Sequence, residues 1–299
     1  MQADDGTDTS LTAGGRILVT AVNDAPVPVA DPGLTTLEDT PLMLLPTDLL
    51  SNDTDAEGDT LSISAVGVAT NGTVELLGDG SVRFTPLADY FGPATFTYTV
   101  SDGQGGTADI TADVAVQSVD DAPDLDLDST QAGSVDFATT YVENALPVAI
   151  TSADVAVIDP DSPLLANATI VLTNADVGDI LHVGALPAGM SFTASETFPI
   201  AAVGSVTLTI DGPASAADFQ LALEAVSYSS ASENPGEAQR TIVFRVNDGT
   251  SDSAIAITRI AVQGVNDQPT SAGVAPFAAT EDTQLTIESA DLLATISDP

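Results

Sequence analysis

The sequence predicts an all-β protein made of tandem Greek-key β-sandwich modules joined by acidic, Pro-containing linkers. A pentapeptide recurs three times, as Val22-Asn23-Asp24-Ala25-Pro26, Val119-Asp120-Asp121-Ala122-Pro123 and Val265-Asn266-Asp267-Gln268-Pro269. Each copy follows an alternating apolar run, which is typical of a strand with one buried face. Because Pro has no N–H to give to a sheet, each copy ends a strand and begins a linker.

Fixed spacings around the linkers indicate that the modules repeat in register. An Asp-Gly pair that begins at Asp5, Asp102 or Asp248 lies 17 residues before the linker Val in all three copies. A Glu-Asp-Thr tripeptide follows the linker Val by 16 residues at Glu38 and at Glu281. We therefore predict the last hairpin of a preceding module over residues 1–24, complete modules over 25–121 and 122–267, and the start of a truncated module over 268–299.

The first complete module is expected to contain about seven strands, from its turn signals and alternation. Phe96, Tyr98 and Val100 alternate with threonines and define an inward face. Gly78-Asp79-Gly80 predicts a tight turn between two strands. Residues 87–92 predict a crossover with a corner aromatic, which is common in β-sandwiches.

The second module is expected to end in the same way and to be longer. Ile242, Phe244 and Val246 alternate as in the first module. In the returning strand the parity of the apolar residues changes, which predicts a bulge near Thr258-Arg259. Apolar residues at helical spacing over 215–226 predict a short helix that packs against the sandwich rather than binding a partner.

The composition excludes several classes of function. The net charge is −39, from 44 acidic and 5 basic residues, and all five basic residues are Arg. Such a surface excludes nucleic acid and anionic membranes as partners and favours bound cations. The chain has no Cys, so metal ions are the expected cross-links. Its one His, His182, is expected to be a partly buried imidazole, and without a nucleophile elbow or phosphate loop no enzyme is predicted.

Acidic residues from distant parts of each module are expected to converge at the linkers. In a Greek-key sandwich the N-terminal segment and two loops meet at one end, where like charges repel unless a cation neutralises them. Hard oxygen ligands select Ca²⁺. The predicted calcium ligands are Asn23, Asp24, Glu38, Asp53, Asp55, Glu57, Asp59, Asp102, Asp120, Asp121, Glu143, Asp159, Asp161, Asp248, Asn266, Asp267, Glu281 and Asp298. For any single Asp the alternative is a solvated turn, because Asp often bonds to its own backbone.

These motifs resemble the cadherin-like tandem repeats of large bacterial surface proteins, of the kind found in repeats-in-toxin adhesins and biofilm proteins. In that pattern an early Glu, an Asp-x-Asp loop and an Asp-x-Asn-Asp-Asn linker ligate calcium between modules. The positions that match are Glu38, Glu143 and Glu281 for the Glu, Asp55-Ala56-Glu57 and Asp159-Pro160-Asp161 for the loop, and the second and third residues of each pentapeptide for the linker. The positions that depart from the linker pattern are Ala21, Ser118 and Gly264 at its first Asp, and Ala25, Ala122 and Gln268 at its last Asn. One or two ions per linker are therefore expected instead of three.

The resemblance implies a calcium-binding extender or stalk segment of an adhesin at the bacterial cell surface. Its expected partners are the neighbouring modules, with glycans or other cell-surface proteins as further candidates and membrane contact only through other parts of the parent protein. We expect one ion, shared by Glu38, Asp55, Asp102 and Asp24, to tie the linker to the module that it enters. Carbohydrate binding is the alternative; exposure of Tyr141 or Phe198 beside an acidic cleft would favour it, and burial of both would oppose it.

Overall fold

The computed structural model describes residues 20, 22–271, 276–278, 281–282, 284–293 and 296–297. The chain divides into two compact units between Val119 and Asp120. The sequence-based boundary lies slightly further along, after Asp121, and the truncated module expected from residue 268 is grouped with the second unit. Of the hairpin expected over residues 1–24, all but residues 20 and 22–24 lies outside the described residues.

The first unit is a two-layer β-sandwich. Its described strands are β1 Leu34–Leu37, β2 Leu42–Leu44, β3 Ser62–Thr70, β4 Gly72–Leu76, β5 Val82–Pro86, β6 Gly92–Ser101 and β7 Thr107–Gln117. One sheet has the order β1-β7-β6-β3 and the other has the order β2-β5-β4. This arrangement confirms the predicted strand number and the Greek-key sandwich.

The core of the first unit lies between its two sheets. Phe96, Tyr98 and Val100 of β6 are all at most 1% exposed, so the predicted inward face is confirmed. Phe96 stacks on Phe84 of the opposite sheet, with ring centroids 5.9 Å apart. Burial of one such ring contributes about 1.5–3 kcal/mol to folding, so these contacts hold the two sheets together.

A short helix that the sequence reading missed, α1 Pro46–Leu50, precedes the acidic loop 51–59 of the first unit. Pro46 begins the helix, where its missing N–H removes no hydrogen bond. The carboxylate of Asp48 accepts the N–H of Leu45 at 2.8 Å. Leu49 is fully buried, and its carbonyl lies 3.0 Å from the Tyr98 hydroxyl. The helix therefore anchors the start of the acidic loop to the core.

The second unit is larger and has more strands. Its described strands are β8 Asp124–Asp126, β9 Phe137–Val142, β10 Val148–Ala149, β11 Ala156–Ile158, β12 Leu165–Ala175, β13 Asp179–Val183, β14 Ser191–Ala194, β15 Gly204–Ala214, β16 Val226–Ser230, β17 Arg240–Asn247 and β18 Ala256–Gln263. The largest sheet has the order β14-β15-β12-β17-β18-β9, and a smaller one has the order β10-β16-β13. Strands β8 and β11 form a separate pair.

The predicted helix of the second unit is present as α2 Ala216–Glu224. Ser215 caps it, because its hydroxyl oxygen accepts the N–H of Asp218 at 3.2 Å. Phe219 and Leu223 are fully buried in the core. The helix therefore packs against the sandwich, as predicted.

The predicted bulge near Thr258-Arg259 is wrong. Strands β17 and β18 pair without a register shift, from Arg240 opposite Ile260 to Phe244 opposite Ala256. Thr258 itself points inward, is fully buried and donates its hydroxyl to the carbonyl of Ile150 at 2.6 Å. A buried Thr whose hydroxyl has a partner fits a core position. The apparent change of parity arose because Ile255 and Ile257 face away from the core, whereas the polar Thr258 faces inward.

The chain after the third linker forms a few short elements among its described residues. Strand β19 Thr270–Ser271 pairs with β20 Ile296–Ser297, and helix α3 covers Ser289–Leu293. In the part of the chain that the structure describes, none of the helices has the length and apolar character needed to cross a membrane.

Candidate cation sites at the module ends

Strand pairing places Glu38 at the end of the first unit where the chain leaves it, here called the outgoing-linker end. Strand β1 runs parallel to β7, with Leu37 opposite Gln117. The N–H of Glu38 continues this ladder to the carbonyl of Gln117 at 2.9 Å. Its side chain is 2% exposed, and Oε1 accepts the N–H of Val119 at 2.6 Å. Glu38 therefore holds the first residue of the linker.

The second unit repeats this arrangement at its own outgoing-linker end. The N–H of Glu143 bonds to the carbonyl of Gln263 at 2.8 Å, and Oε2 accepts the N–H of Val265 at 2.7 Å. Glu143 is 4% exposed. The residue after each Glu has a left-handed backbone, with φ 54° at Asp39 and φ 63° at Asn144. Asp and Asn tolerate this conformation better than most residues, so the shared turn follows from the sequence.

This geometry corrects the expected sharing of one ion by Glu38, Asp55, Asp102 and Asp24. Asp102 lies just before β7, whereas Glu38 lies beside the residues that follow it. At about 3.3 Å per residue the two ends of β7 are roughly 33 Å apart, so these two carboxylates cannot share an ion. The parallel pairing of β1 with β7 moved the Glu to the other end of the module.

The other end of the first unit, here called its incoming-linker end, contains a clamp between the linker and a Gly-rich turn. Oδ1 of Asp102 accepts the N–H groups of Gln104, Gly105 and Gly106 at 2.8–3.1 Å. Oδ2 accepts the side-chain amide of Asn23 at 2.7 Å. The Asn23 bond and these backbone bonds hold the pKa of Asp102 below its usual range. Asp102 thus fastens the incoming linker to the turn.

The acidic loop 51–59 lies at the same end and also contacts the incoming linker. Val27 and Thr54 form an isolated bridge, and Oδ1 of Asp53 accepts the N–H of Val29 at 2.8 Å. Oε2 of Glu57 accepts the N–H of Asp24 at 3.2 Å.

Within that loop Asp55 organises the backbone. Its Oδ1 accepts the N–H groups of Glu57 and Asp59, both at 3.0 Å. Asp53, Asp55 and Asp59 are half-buried, whereas Glu57 is exposed. The structure therefore brings together the loop and linker acids that the sequence reading grouped here, except Glu38.

The incoming-linker end of the second unit is built in the same way. The hydroxyl of Ser251 donates to Oδ2 of Asp120 at 2.6 Å, and Oδ1 of Asp248 accepts the N–H of Ser251 at 2.7 Å. Asp248 therefore shapes the turn that holds the linker, as Asp102 does in the first unit. The neighbouring Asp121 is half-buried.

Asp159 and Asp161 lie on the segment that leads into β12, and β12 begins at the end of the sheet where β17 ends just before Asp248, so this pair belongs to the same module end. Oδ1 of Asp159 accepts the N–H groups of Asp161 and Ser162 at 3.3 and 2.7 Å. Burial raises the pKa of Asp159, and the nearby carboxyl group of Asp161 adds to this effect. A carboxylate whose charge is disfavoured in this way is one that a cation would stabilise.

Buried carboxylate oxygens without a hydrogen-bond donor collect at these module ends. Among the described residues they are Glu38 Oε2, Asp53 Oδ2, Asp55 Oδ2, Glu143 Oε1, Asp159 Oδ2, Asp161 Oδ1 and Asp248 Oδ2. A buried polar atom without a partner costs about 1–3 kcal/mol, and more if it is charged. Carboxylate and backbone oxygens are the donors that Ca²⁺ takes, six to eight at a time. The residues present therefore fit a calcium ion.

Sequence reasoning missed a ligand candidate at the outgoing-linker end of the second unit. Ligand oxygens of Glu143, Glu233 and Asp267 all lie within 4.8 Å of one another. Glu233 belongs to the loop 231–239 between β16 and β17, and it is exposed. In the first unit the N–H of Asp89, from the loop between β5 and β6, bonds to Oδ1 of Asp39 at 3.3 Å. In both modules the sequence signal for such a ligand was an acidic residue shortly before the penultimate strand, Asp89 before β6 and Glu233 before β17.

The remaining predicted ligands belong to the third linker and beyond it. Asn266 is exposed and donates its side-chain amide to the carbonyl of Asp267 at 3.1 Å. Glu281 is exposed, and Asp282 after it has φ 65°, as at the two earlier copies. Asp298 lies outside the described residues.

The two aromatic residues that bear on carbohydrate binding are both turned toward the core. Tyr141 is 1% exposed, and its hydroxyl donates to the carbonyl of Ser230 at 3.0 Å. Phe198 is partly buried against the core of the second unit. Neither offers an exposed ring for stacking on a sugar. The single His182 is half-buried in β13, with Nε2 2.8 Å from Oγ of Ser229.

Part of the first unit is similar to a known family of protein domains. Residues 22–117 match the family model of the cadherin-like domain. This match lies within the first unit and covers about a third of the chain. No curated protein sequence is similar to the chain.

Several solved structures resemble the chain at low identity. A crystal structure of human CDH23 EC21-23 is 17% identical with a TM-score of 0.40, over 80% of this chain and 70% of that one. Mouse Cadherin-23 EC22-24 is 14% identical with a TM-score of 0.39, over 84% of this chain and 71% of that one. The endo-fucoidan hydrolase MfFcnA4, from glycoside hydrolase family 107, is 14% identical with a TM-score of 0.26, over 88% of this chain and 33% of that one.

Proposed function

We propose that this chain is a calcium-binding extender segment of a large bacterial cell-surface adhesin, and that calcium stiffens the linkers between its modules outside the cell. The observation that carries the proposal is the position of the buried carboxylate oxygens that lack a donor. In the described part of the chain they lie at the module ends, on the side chains that hold the linkers or on loops beside them. A net charge of −39 adds a general attraction for cations.

The mechanism follows from the two oxygens of each buried Glu. One oxygen of Glu143 binds the linker N–H at Val265, and the other faces the site without a donor. Calcium would supply the positive charge that this site lacks. Glu143, Glu233 and Asp267 would hold it at the outgoing-linker end of the second unit, and Glu38 would take part in the first unit. Without that charge the carboxylates repel one another, and the linker is held to the module by fewer bonds.

The other module ends would use a different set of ligands. Asp53 and Asp55 would hold an ion in the first unit, and Asp159, Asp161 and Asp248 are the candidates in the second. Asp102 and Asn23 already satisfy each other, so they would support the site rather than complete it. Fewer ligands than in the full linker pattern favour one or two ions per linker.

The expected affinity matches the outside of a cell. Extracellular modules bind calcium with constants of about 10⁻⁴–10⁻³ M. At about 100 times the dissociation constant, binding would stabilise the folded module by roughly 2.7 kcal/mol per site. The neighbouring modules of the same chain are the proposed partners, and glycans or other cell-surface proteins would be contacted by the parent protein. The acidic surface opposes binding of nucleic acid.

Thermal unfolding and small-angle scattering of the same samples test this proposal. We expect millimolar CaCl₂ to raise the melting temperature and to lengthen and stiffen the particle, and EGTA to reverse both changes. Mg²⁺ at the same ionic strength is the control for simple screening, because Mg²⁺ demands a smaller octahedral site. If calcium changed neither quantity, the acidic loops would be solvated turns and the proposal would be wrong.

A further inference from the structure

The loop 231–239, which carries Glu233, is fixed mainly at its two ends. At its start the N–H of Ala231 bonds to the carbonyl of Gly178 at 2.7 Å. At its end Arg240 donates from NH1 to the carbonyl of Ala238 at 2.6 Å. The side-chain amide of Asn174 donates to the carbonyl of Gln239 at 2.7 Å. The position of Glu233 therefore depends on what anchors these ends.

Arg240 is the strongest of these anchors because it is a buried charge with a buried partner. It is 1% exposed and donates from Nε to Oδ2 of Asp179 at 2.7 Å, and Asp179 is itself fully buried. Burial alone would lower the pKa of Arg240, but the hydrogen bond and charge of Asp179 outweigh it, and the pKa is raised. The guanidinium therefore stays charged in the core.

Stability alone is a weak reason for such a pair. Removing two charges from water costs several kcal/mol per ion, and apolar residues of similar size often stabilise a core equally well. The pair fixes the orientation of the guanidinium, whose donors form a rigid fork and therefore bind acceptors only in set directions. Arg240 uses that fork on the carboxylate of Asp179 and on the carbonyl of Ala238 in the loop.

The same network reaches β9, the strand that ends just before Glu143. The hydroxyl of Tyr228 donates to Oδ1 of Asp179 at 2.6 Å. The ring of Tyr228 packs edge-on against Tyr141, with centroids 5.5 Å apart. Tyr141 lies on β9 two residues before Glu143, and its hydroxyl donates to the carbonyl of Ser230 just before the loop. One buried chain of contacts thus links Glu143 to the loop of Glu233.

The middle of the loop 231–239 also packs closely against an acidic residue that contacts Arg240. A Cβ at Gly236 would lie 2.5 Å from Oδ2 of Asp176, so the loop backbone passes directly against that carboxylate. The same oxygen lies 3.4 Å from NH2 of Arg240. Pro235 beside it is buried. A change in the direction of the guanidinium would therefore shift the loop.

We propose that Arg240 is a positioning residue for the cation site at the outgoing-linker end of the second unit. Through Asp179 and the carbonyl of Ala238, it holds the loop 231–239 so that the carboxylate of Glu233 faces Glu143. The inference rests on the proposed function, because it concerns the affinity of the proposed calcium site. Calcium ligands lie about 2.3–2.6 Å from the ion, so a loop displaced by about 1 Å no longer supplies its carboxylate.

The test compares R240K, E233Q and the double variant in the full chain. Lys keeps the positive charge beside Asp179 but lacks the fork that reaches Ala238. Calcium is titrated, and hydrogen–deuterium exchange follows the peptide containing Val265 for the second unit and the peptide containing Val119 as an internal reference. The matched control is R245K, because Arg245 lies exposed on the same strand.

We expect R240K to raise the calcium midpoint at the Val265 peptide by about 10–100-fold, as the loss of an outer-shell partner commonly does. The midpoint at the Val119 peptide and the behaviour of R245K should not change. Because Arg240 acts through Glu233, the double variant should shift the midpoint no more than E233Q does. The inference would be overturned if R240K left the calcium midpoint unchanged while E233Q raised it. It would also be overturned if the fold-changes of the two single variants multiplied in the double variant.

Two further outcomes keep the test decisive. If R240K does not fold, Y228F replaces it, since it removes only the hydroxyl bond that orients the carboxylate of Asp179, the partner of Arg240. An unchanged midpoint in Y228F would then overturn the inference. If the wild-type chain shows no calcium-dependent protection at either peptide, the proposed function itself fails and the inference falls with it; a calcium response that R240K leaves intact overturns the inference alone.

Discussion

Replacing Glu143 by Gln should stabilise the protein without calcium and destabilise it with calcium. Glu143 is 4% exposed, one of its oxygens accepts the N–H of Val265, and the other lacks a donor in the described structure. Gln keeps an oxygen for Val265 and places a neutral amide where the second oxygen lay. That amide can donate to the carboxylates of Glu233 and Asp267, which lie within 4.8 Å.

The magnitude follows from the charges that the substitution removes. Two unit charges 4.8 Å apart repel by about 3.5 kcal/mol at an effective dielectric constant of about 20. Because Glu233 is exposed, solvent screening reduces its part to about 1 kcal/mol or less. We therefore expect E143Q to raise the free energy of unfolding by about 1–2 kcal/mol in EGTA. This value includes the gain from removing a buried carboxylate oxygen that has no hydrogen-bond donor. In calcium it should lose most of the roughly 2.7 kcal/mol gained at 100 times the dissociation constant.

Urea unfolding in EGTA and in calcium measures the change in the free energy of unfolding in each condition. Hydrogen exchange of the amides in β18 shows whether the change occurs in the second unit. The control is E224Q at the exposed end of α2, which should change stability by less than about 0.5 kcal/mol in either condition. The reasoning would be refuted if E143Q lost the same stability with and without calcium. An equal loss in both conditions would mean that the stability of the module does not depend on calcium at Glu143.

Three further predictions concern the supports of the module ends and the core. Burial raises the pKa of Asp31, so its carboxyl group contributes stability at low pH that is lost as the pH rises through the folded pKa. Wild type should therefore gain stability relative to D31N as the pH falls from 7 to 4 in urea titrations; the opposite slope would contradict this. A Cβ at Gly106 would lie 2.2 Å from Oδ2 of Asp102, so G106A should cost about 1–3 kcal/mol in thermal melts, whereas G78A, where the space is open, should cost less. T258V should cost about 1–3 kcal/mol in urea unfolding because it leaves a buried carbonyl without its donor, and T258S should recover most of that loss.

Much of the local structure could be predicted because its causes lie close together along the chain. The alternation around Phe96 places every second side chain on one face, whatever the rest of the fold does. The spacing over 215–226 gives α2 one apolar face, and Ser215 supplies its cap. The bulge near Thr258 was predicted wrongly because pattern reading treats a Thr as polar. Only the tertiary structure supplies the carbonyl of Ile150 that makes it a core residue.

For the candidate sites, the sequence determined which residues are repeated and which chemistry they offer. Three linkers in register, acidic loops and no Cys or Lys already point to a hard cation bound by oxygens. Which carboxylates face one another was decided by the tertiary structure alone. The parallel pairing of β1 with β7 moved Glu38 away from Asp102, and the loop 231–239 brought Glu233 to Glu143. The residues of both pairs are far apart in the chain. Whether they meet depends on the direction of the strands and the path of the loop, which a local sequence pattern does not encode.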